Sequence, residues 1–310
     1  MIDFLEKAKS VIIGHAVADA LGVPVEFEER AYLDKFPVTK MEGYGTYSVP
    51  AGAWSDDTSM SLCALECLDK NEIEWDNIML NFEKWLLSGE FTPTGKTFDA
   101  GRTCVRAITN YFRNNLEPTK SGLTDEMSNG NGSLMRIHPF VLYGVNKQLS
   151  FGERIELVEN ASSLTHAHNR SKLACLIYML VLEHLLADAN IESVHLALKR
   201  AQIHFCNYPE FEHYERLLNE SFKDIPVNVI ESSGYVVDTL EAAIWCVLNT
   251  NSYESCVLKA VNLGGDTDTI AAVAGGLAGA LYGYNAIPQK WRDILIKKEY
   301  IEMLCEKAFK

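Results

Sequence analysis

Positive charge is scarce in this sequence: 28 Lys and Arg stand against 42 Asp and Glu, a formal net charge of −14. A field of that sign repels the phosphate backbone of nucleic acid and an anionic membrane surface, so neither is expected as a partner. Paired cysteines are lacking too. The eight cysteines, at 63, 67, 104, 175, 206, 246, 256 and 305, form no CxxC pair, and most sit in apolar helical patterns such as AIWCVL and LACLIYML. They read as reduced, buried thiols of a cytoplasmic protein, not as zinc ligands or a disulfide framework. Of the two most apolar stretches, Leu173 to Ala187 is interrupted by Glu183 and His184, and Ile270 to Gly283 is too short for the ~20 residues that span a bilayer. The opening MIDFLEKAKSVIIGHAV carries Asp3 and Glu6 where an export signal would be basic, so no such signal is expected. No Pro-, Gly- or Ser-rich linker and no fixed-period repeat divides the chain.

What is present is ordinary globular composition, 47% apolar and 23% charged over 310 residues, enough to bury a sizeable core. Helical periodicity dominates. Phe4, Leu5, Ala8, Val11 and Ile12, then Ile78, Phe82, Trp85 and Leu86, recur at three- and four-residue steps. The pattern returns near 57–69, 98–113, 133–143, 152–164, 171–187, 192–206, 236–249, 253–262, 268–282 and 289–309. Residues 38–49 could hold a small hairpin or an irregular loop, and no convincing alternating strand appears elsewhere. The expected fold is all-α, a single multi-helix domain over 1–310, acting as a monomer.

The chemistry-bearing residues gather in polar, Gly-rich junctions ahead of helices, where unpaired backbone N–H groups can bind anions and carboxylates can share a point. In AWSDDTSM, Ser55, Asp56, Asp57 and Thr58 open a helix. Such residues are the preferred helix caps, so capping and cation binding both stay open for this motif alone. In LGGDTDTIA, Asp266 and Asp268 stand two residues apart and can reach one cation, with Thr269 beside them. One cap does not explain two such motifs. Together they supply carboxylates and hydroxyls, hard oxygen ligands that suit Mg²⁺ or Mn²⁺ over Zn²⁺, and Glu26 of PVEF is a further candidate or else a surface acid.

Other motifs carry less. GEFTPTGKT places five residues between Gly89 and Gly95 where a phosphate loop needs four, and no strand precedes it. The run GGLAGALYG reads as close helix packing, not a dinucleotide turn. Gly130, Asn131, Gly132 and Ser133 form a glycine-bearing turn suited to a diphosphate, with Arg136 as a counter-charge, or an ordinary loop. His166 of LTHAH is a ligand-contact candidate against a structural role.

Taken in order, GHAVADALGVPVEF, WSDDTSM, PTGKTFDAG, GNGSLMR, THAH, GYVVDTLEAAIWC and GGDTDTIAAVAGGLAGALYG resemble the ADP-ribosylglycohydrolase family, of the dinitrogenase reductase activating glycohydrolase type. The paired WSDDT and GGDTDT motifs are highly specific in combination. The resemblance implies an all-helical hydrolase with two Mg²⁺ or Mn²⁺ ions that cleaves ADP-ribose from an acceptor, with ADP-ribosylarginine expected ahead of serine-linked or small-molecule conjugates; the alternative is a non-catalytic ADP-ribose-binding protein on the same fold. It implies metal ligands Glu26, Ser55, Asp56, Asp57, Asp266, Asp268 and Thr269, with Ser55 standing where threonine is more usual. Diphosphate and ribose would be held by Gly130, Asn131, Gly132, Ser133 and His166, and Glu26 and Asp99 of FDAG would be the catalytic candidates. The partner expected is an ADP-ribosylated protein or small molecule.

Overall fold

Apolar periodicity becomes helix almost wherever the sequence carries it. The computed structural model describes residues 3–69 and 72–310. In chain order its α-helices are α1 (Phe4–Gly22), α2 (Arg30–Leu33), α3 (Asp56–Leu65), α4 (Trp75–Ser88), α5 (Arg102–Asn114), α6 (His138–Asn146) and α7 (Phe151–Ser163). They continue with α8 (Asn169–Ala187), α9 (Ile191–Phe205), α10 (Val236–Leu248), α11 (Tyr253–Val261), α12 (Thr267–Tyr282), α13 (Gln289–Ile294) and α14 (Lys298–Phe309). The described residues contain isolated bridges but no strand, and residues 38–49 form an irregular loop with one bridge, Tyr44 to Val49. The all-α expectation holds.

The centre is the antiparallel pair α1 and α12. A Cβ on Gly14 would stand 2.6 Å from the Gly275 carbonyl, and Gly275 and Gly279 meet Ala18 and Ser10 as closely, so the small-residue run lets the two backbones touch. α1 extended to Val25 is long and apolar enough to cross a membrane, yet 83% of its most apolar window is buried in the protein. Around this pair α8, α10, α11 and α14 complete one hydrophobic core.

Close contact at one end of the pair positions the site. A Cβ on Gly22 would lie 2.6 Å from the Thr267 carbonyl, and the Thr267 hydroxyl donates to the Gly22 carbonyl at 2.9 Å. The chain leaving α1 therefore starts beside the first turn of α12. The Phe27 N–H donates to the Gly265 carbonyl at 2.7 Å and the Gly265 N–H to the Glu28 carbonyl at 2.9 Å, fastening the PVEF segment to the GGDT segment.

Four helix boundaries differ from the periodicity, the first being α3, which ends at Leu65 and passes into a turn over 66–69. α5 begins at Arg102, because Asp99 takes a left-handed conformation (φ 51°) that interrupts the helix. α6 begins at His138, with Pro139 in its first turn. The expected helix over 289–309 is two helices, α13 and α14, separated at Lys297 (φ 57°).

Candidate active site

Ser55 caps α3, and Asp56 and Asp57 occupy its first turn. Capping and cation binding are thus compatible, since the Ser55 hydroxyl faces the Asp57 carboxylate at 3.0 Å. The whole turn is braced by Asp19 of α1, which is fully buried and accepts from Ser55 N–H (2.9 Å), Thr58 N–H (3.0 Å) and the Thr58 hydroxyl (2.6 Å). Asp266 occupies the N-cap position of α12 without a side-chain capping bond, and Asp268 sits in the first turn, after two glycines at φ 73° and 72°. Thr269 donates its hydroxyl to Asp57 at 3.2 Å, linking the two motifs directly.

Glu26, Asp266 and Asp268 each turn a carboxylate oxygen to within 4.8 Å of the others. Buried oxygens of Glu26 (Oε2), Asp57 (Oδ1), Asp266 (Oδ1) and Asp268 (Oδ2) have no hydrogen-bond partner. Four unsatisfied carboxylate oxygens converging in a protein interior are costly unless a cation or protons compensate them. Protons do so when no cation is present. Burial, then Asp99 and Asp266, push the Glu26 carboxyl up to about 9. Burial followed by neighbouring acids also raises Asp56, Asp57 and Asp268 well above the usual carboxylate range, and burial raises Asp99.

The acids face a cleft of about 290 Å³ lined by Glu26, Phe27, Asp56, Asp99, Gly101, Arg102, Met127, Gly130, Asn131, Gly132, His166, Gly234, Asp266 and Thr269, among others. Ser55, Asp57 and Asp268 lie behind that lining, fully buried. Tyr47, which sequence reasoning missed, brings its hydroxyl to both Glu26 and Asp99 and packs its ring on Phe98 at 5.0 Å. Burial, Asp99 and Glu26 keep that phenol protonated by raising its pKa.

The glycine loop is brought to the same cleft, but its helix is not. Because α6 starts at His138, Gly130 to Ser133 form a turn held against residues 234–236 by Asn131 N–H to the Gly234 carbonyl (3.1 Å) and Val236 N–H to the Asn129 carbonyl (3.0 Å). Asn131 spends its amide donors on Thr239 (2.9 Å) and Asp266 (2.8 Å), so it couples the loop to the acidic cluster. Ser133 is buried beneath the loop against Ser162 and Cys175. Arg136 does not serve as a counter-charge in the cleft: it is fully buried, donating to Ala161 and Thr165 under the Phe82 ring. His166 lines the cleft, with burial and then Arg136 depressing its pKa to about 3, so it is neutral. His168 instead caps α8.

A second depression, about 370 Å³, continues the cleft past Gly130 and Gly234 toward Asn129, Arg170 and Tyr235. Another hollow of about 370 Å³ lies between α9 and residues 218–223, where Lys199 and Glu220 pair at 3.2 Å and no carboxylate cluster forms.

A sequence model of the family described as ADP-ribosylglycohydrolase matches residues 1–310. The ADP-ribosylarginine hydrolase Tri1 of Serratia proteamaculans is 33% identical over 309 residues, which is 98% of this chain and 79% of that protein. The ADP-ribosyl-[dinitrogen reductase] glycohydrolase of Rhodospirillum rubrum is 31% identical over 299 residues, 94% of this chain and 91% of its own. A solved structure titled ADP-ribosylglycohydrolase-related protein complex superposes with a TM-score of 0.83 at 30% identity, covering 100% of this chain and 99% of the other.

Proposed function

The chain belongs to the ADP-ribosylglycohydrolase family, whose members hydrolyse a glycosidic bond, and from that premise we propose that it releases ADP-ribose from ADP-ribosylated arginine on a protein, using divalent cations held in the acidic cleft. The observation that carries the cation part is the set of four unpartnered, buried carboxylate oxygens on Glu26, Asp57, Asp266 and Asp268. The donors are all hard oxygens, which favours Mg²⁺ or Mn²⁺. Glu26, Asp266 and Asp268 form one group, and Asp57, with the hydroxyls of Ser55 and Thr269 on its Oδ2 and its Oδ1 unpartnered, stands apart from them, which supports a second ion. Cations there would supply charge that orients the ribose hydroxyls and makes a water more acidic.

The chain's own residues supply the rest. Burial, and next to it the neighbouring Asp99, hold the Glu26 carboxyl protonated, so the two acids can give a proton to the departing acceptor nitrogen and take one from water as oxocarbenium character grows and decays at the anomeric carbon. Tyr47 brings its hydroxyl beside both carboxyls. Gly130 and Gly132 line the cleft beside the neutral His166, where a diphosphate would lie, and Asn131 fixes that loop to Asp266. The arginine acceptor is supported by the names of the Tri1 relatives from two bacteria, at 33% and 32% identity, and by the excess of carboxylates around the cleft. Seven of the eight cysteines are buried, and none is in a disulfide, which suits a reducing compartment and makes the cytoplasm the proposed site of action.

Incubation with ADP-ribosylated arginine, serine and small-molecule conjugates in Mg²⁺ or Mn²⁺, followed by assay of free ADP-ribose, tests the reading. Release from the arginine conjugate that chelation abolishes is the expected result. Full activity after exhaustive chelation overturns the cation centre, and release only from another conjugate overturns the acceptor.

A further inference from the structure

Phe27 follows the buried Glu26 directly, yet its ring is 66% exposed and lines the cleft. Its backbone is left-handed, at φ 68°, a conformation that glycine or asparagine adopts readily and a bulky aromatic rarely does. The bond from its N–H to the Gly265 carbonyl at 2.7 Å holds it there. The ring takes no part in the hydrophobic core, so burial gives no reason for an aromatic side chain at a strained position. Strain of this kind persists where the surroundings over-determine it, commonly at ligand sites.

The cleft's two ends tell what the ring faces. The second depression shares Met127, Gly130 and Gly234 with the cleft and lies beyond the glycine loop, whereas Phe27, Glu26 and Asp99 do not line it. A substrate whose diphosphate crosses that loop sends its nucleoside end toward the second depression and its acceptor end toward Phe27. Arg102 is the one Lys or Arg that lines the cleft, so little positive charge opposes a positively charged acceptor at this end, and the exposed ring face is open to it. We propose that the face of Phe27 stacks on the guanidinium of the ADP-ribosylated arginine and thereby selects a cationic acceptor over a neutral one. The proposal rests on the arginine reading above.

A cation on an aromatic face contributes about 1–2 kcal/mol where water is partly excluded. Phe27→Leu is therefore expected to lower kcat/KM for ADP-ribosylarginine about five- to thirty-fold. The same variant should leave kcat/KM for a neutral-acceptor conjugate, ADP-ribosylserine, within about twofold and free ADP-ribose affinity by calorimetry unchanged, while Phe27→Trp retains or exceeds the wild-type rate on arginine, tryptophan being the better cation partner. Thermal midpoints of both variants near wild type show that the exposed ring is not needed for folding. Wild-type protein that releases nothing from the arginine conjugate overturns the acceptor assignment and this proposal together. Wild-type activity on arginine with Phe27→Leu at full kcat/KM, with equal loss on both conjugates, or with weakened ADP-ribose binding overturns the role of Phe27 alone.

Discussion

Removing divalent cations and following the thermal midpoint against pH probes the acidic centre without any substitution. Burial, then Asp99 and Asp266, raise the Glu26 carboxyl from 4.5 to about 9 in the cation-free fold. The native state therefore keeps a proton that the unfolded chain releases. Its contribution to stability is complete below about pH 4.5 and is lost as the pH climbs toward about 9. One excess proton corresponds to about 1.4 kcal/mol per pH unit. With an unfolding entropy of roughly 0.65 kcal/mol/K for a chain of 310 residues, the cation-free midpoint should fall about 2 °C per pH unit, or about 4 °C from pH 6 to pH 8, from Glu26 alone. The raised Asp56, Asp57 and Asp268 can only steepen the fall.

A cation must expel that proton to bind, so its apparent affinity should rise about tenfold per pH unit for each proton displaced. In excess Mn²⁺ the midpoint should stay nearly level over the same range, and its gap from the chelated curve should widen by about 4 °C. Differential scanning fluorimetry in chelator and in Mn²⁺, at three pH values, reads both curves. Parallel curves, or a chelated protein that gains stability as the pH rises, would refute the reasoning.

A Cβ on Gly132 would stand 2.8 Å from Cys104 Sγ and 2.9 Å from His166 Cε1, so Gly132→Val should weaken ADP-ribose binding more than tenfold by displacing His166, with metal content by elemental analysis near normal; unchanged affinity in a folded variant would show that the loop is structural. Asp19→Asn keeps one oxygen to accept three bonds and turns an amide toward donors, so it should lower metal affinity about 10–100-fold, measured by titration calorimetry, and destabilise by about 1–3 kcal/mol. Burial depresses His15 from 6.5 to about 4, so the unfolded state takes up its proton first and stability falls as the pH drops through that window; His15→Leu should flatten this acid limb in denaturant titrations. ADP-ribosylarginine should be cleaved faster than ADP-ribosylserine, with the ratio of kcat/KM values shrinking as salt screens the acidic cleft; a serine preference would reverse the acceptor assignment.

Most helices, and the two aspartate motifs, are legible in the sequence because both depend on neighbours in the chain: apolar spacing defines a buried face, and a cap with its following acids defines a helix start. Even the α6 boundary carried a local sign, since Pro139 belongs in a first turn. Asp19 carried a weaker one, an acid within the otherwise small and apolar AVADALG stretch, whose meaning appears only when α1 brings it against Ser55 and Thr58. Tyr47 carried none. It comes from an irregular loop, and only the fold sets its hydroxyl between Glu26 and Asp99. Arg136 misled for the opposite reason: a cation beside a glycine loop suggests an anion partner, but the turn before α6 sends its side chain inward to Ala161 and Thr165.

The break between α13 and α14 shows how such non-local contacts act on the site. Nothing in RDILIKKEY is a helix breaker, and the periodicity runs through it. The chain nevertheless opens there, because Ile296 N–H donates to the Gly52 carbonyl at 3.0 Å, Trp54 Nε1 donates to the Ile296 carbonyl at 2.9 Å, and Lys297 Nζ donates to the Thr92 carbonyl at 2.7 Å. Two of these bonds anchor the strip immediately before Ser55, and the third anchors the loop that leads to Asp99. A helix running unbroken through Ile296 would commit the Ile296 N–H and carbonyl to its own turns and free Gly52 and Trp54 from their partner. Local helix propensity is given up at Lys297 to fix two segments that carry the acids, which is why periodicity fails at that point and not elsewhere along the C-terminal helices.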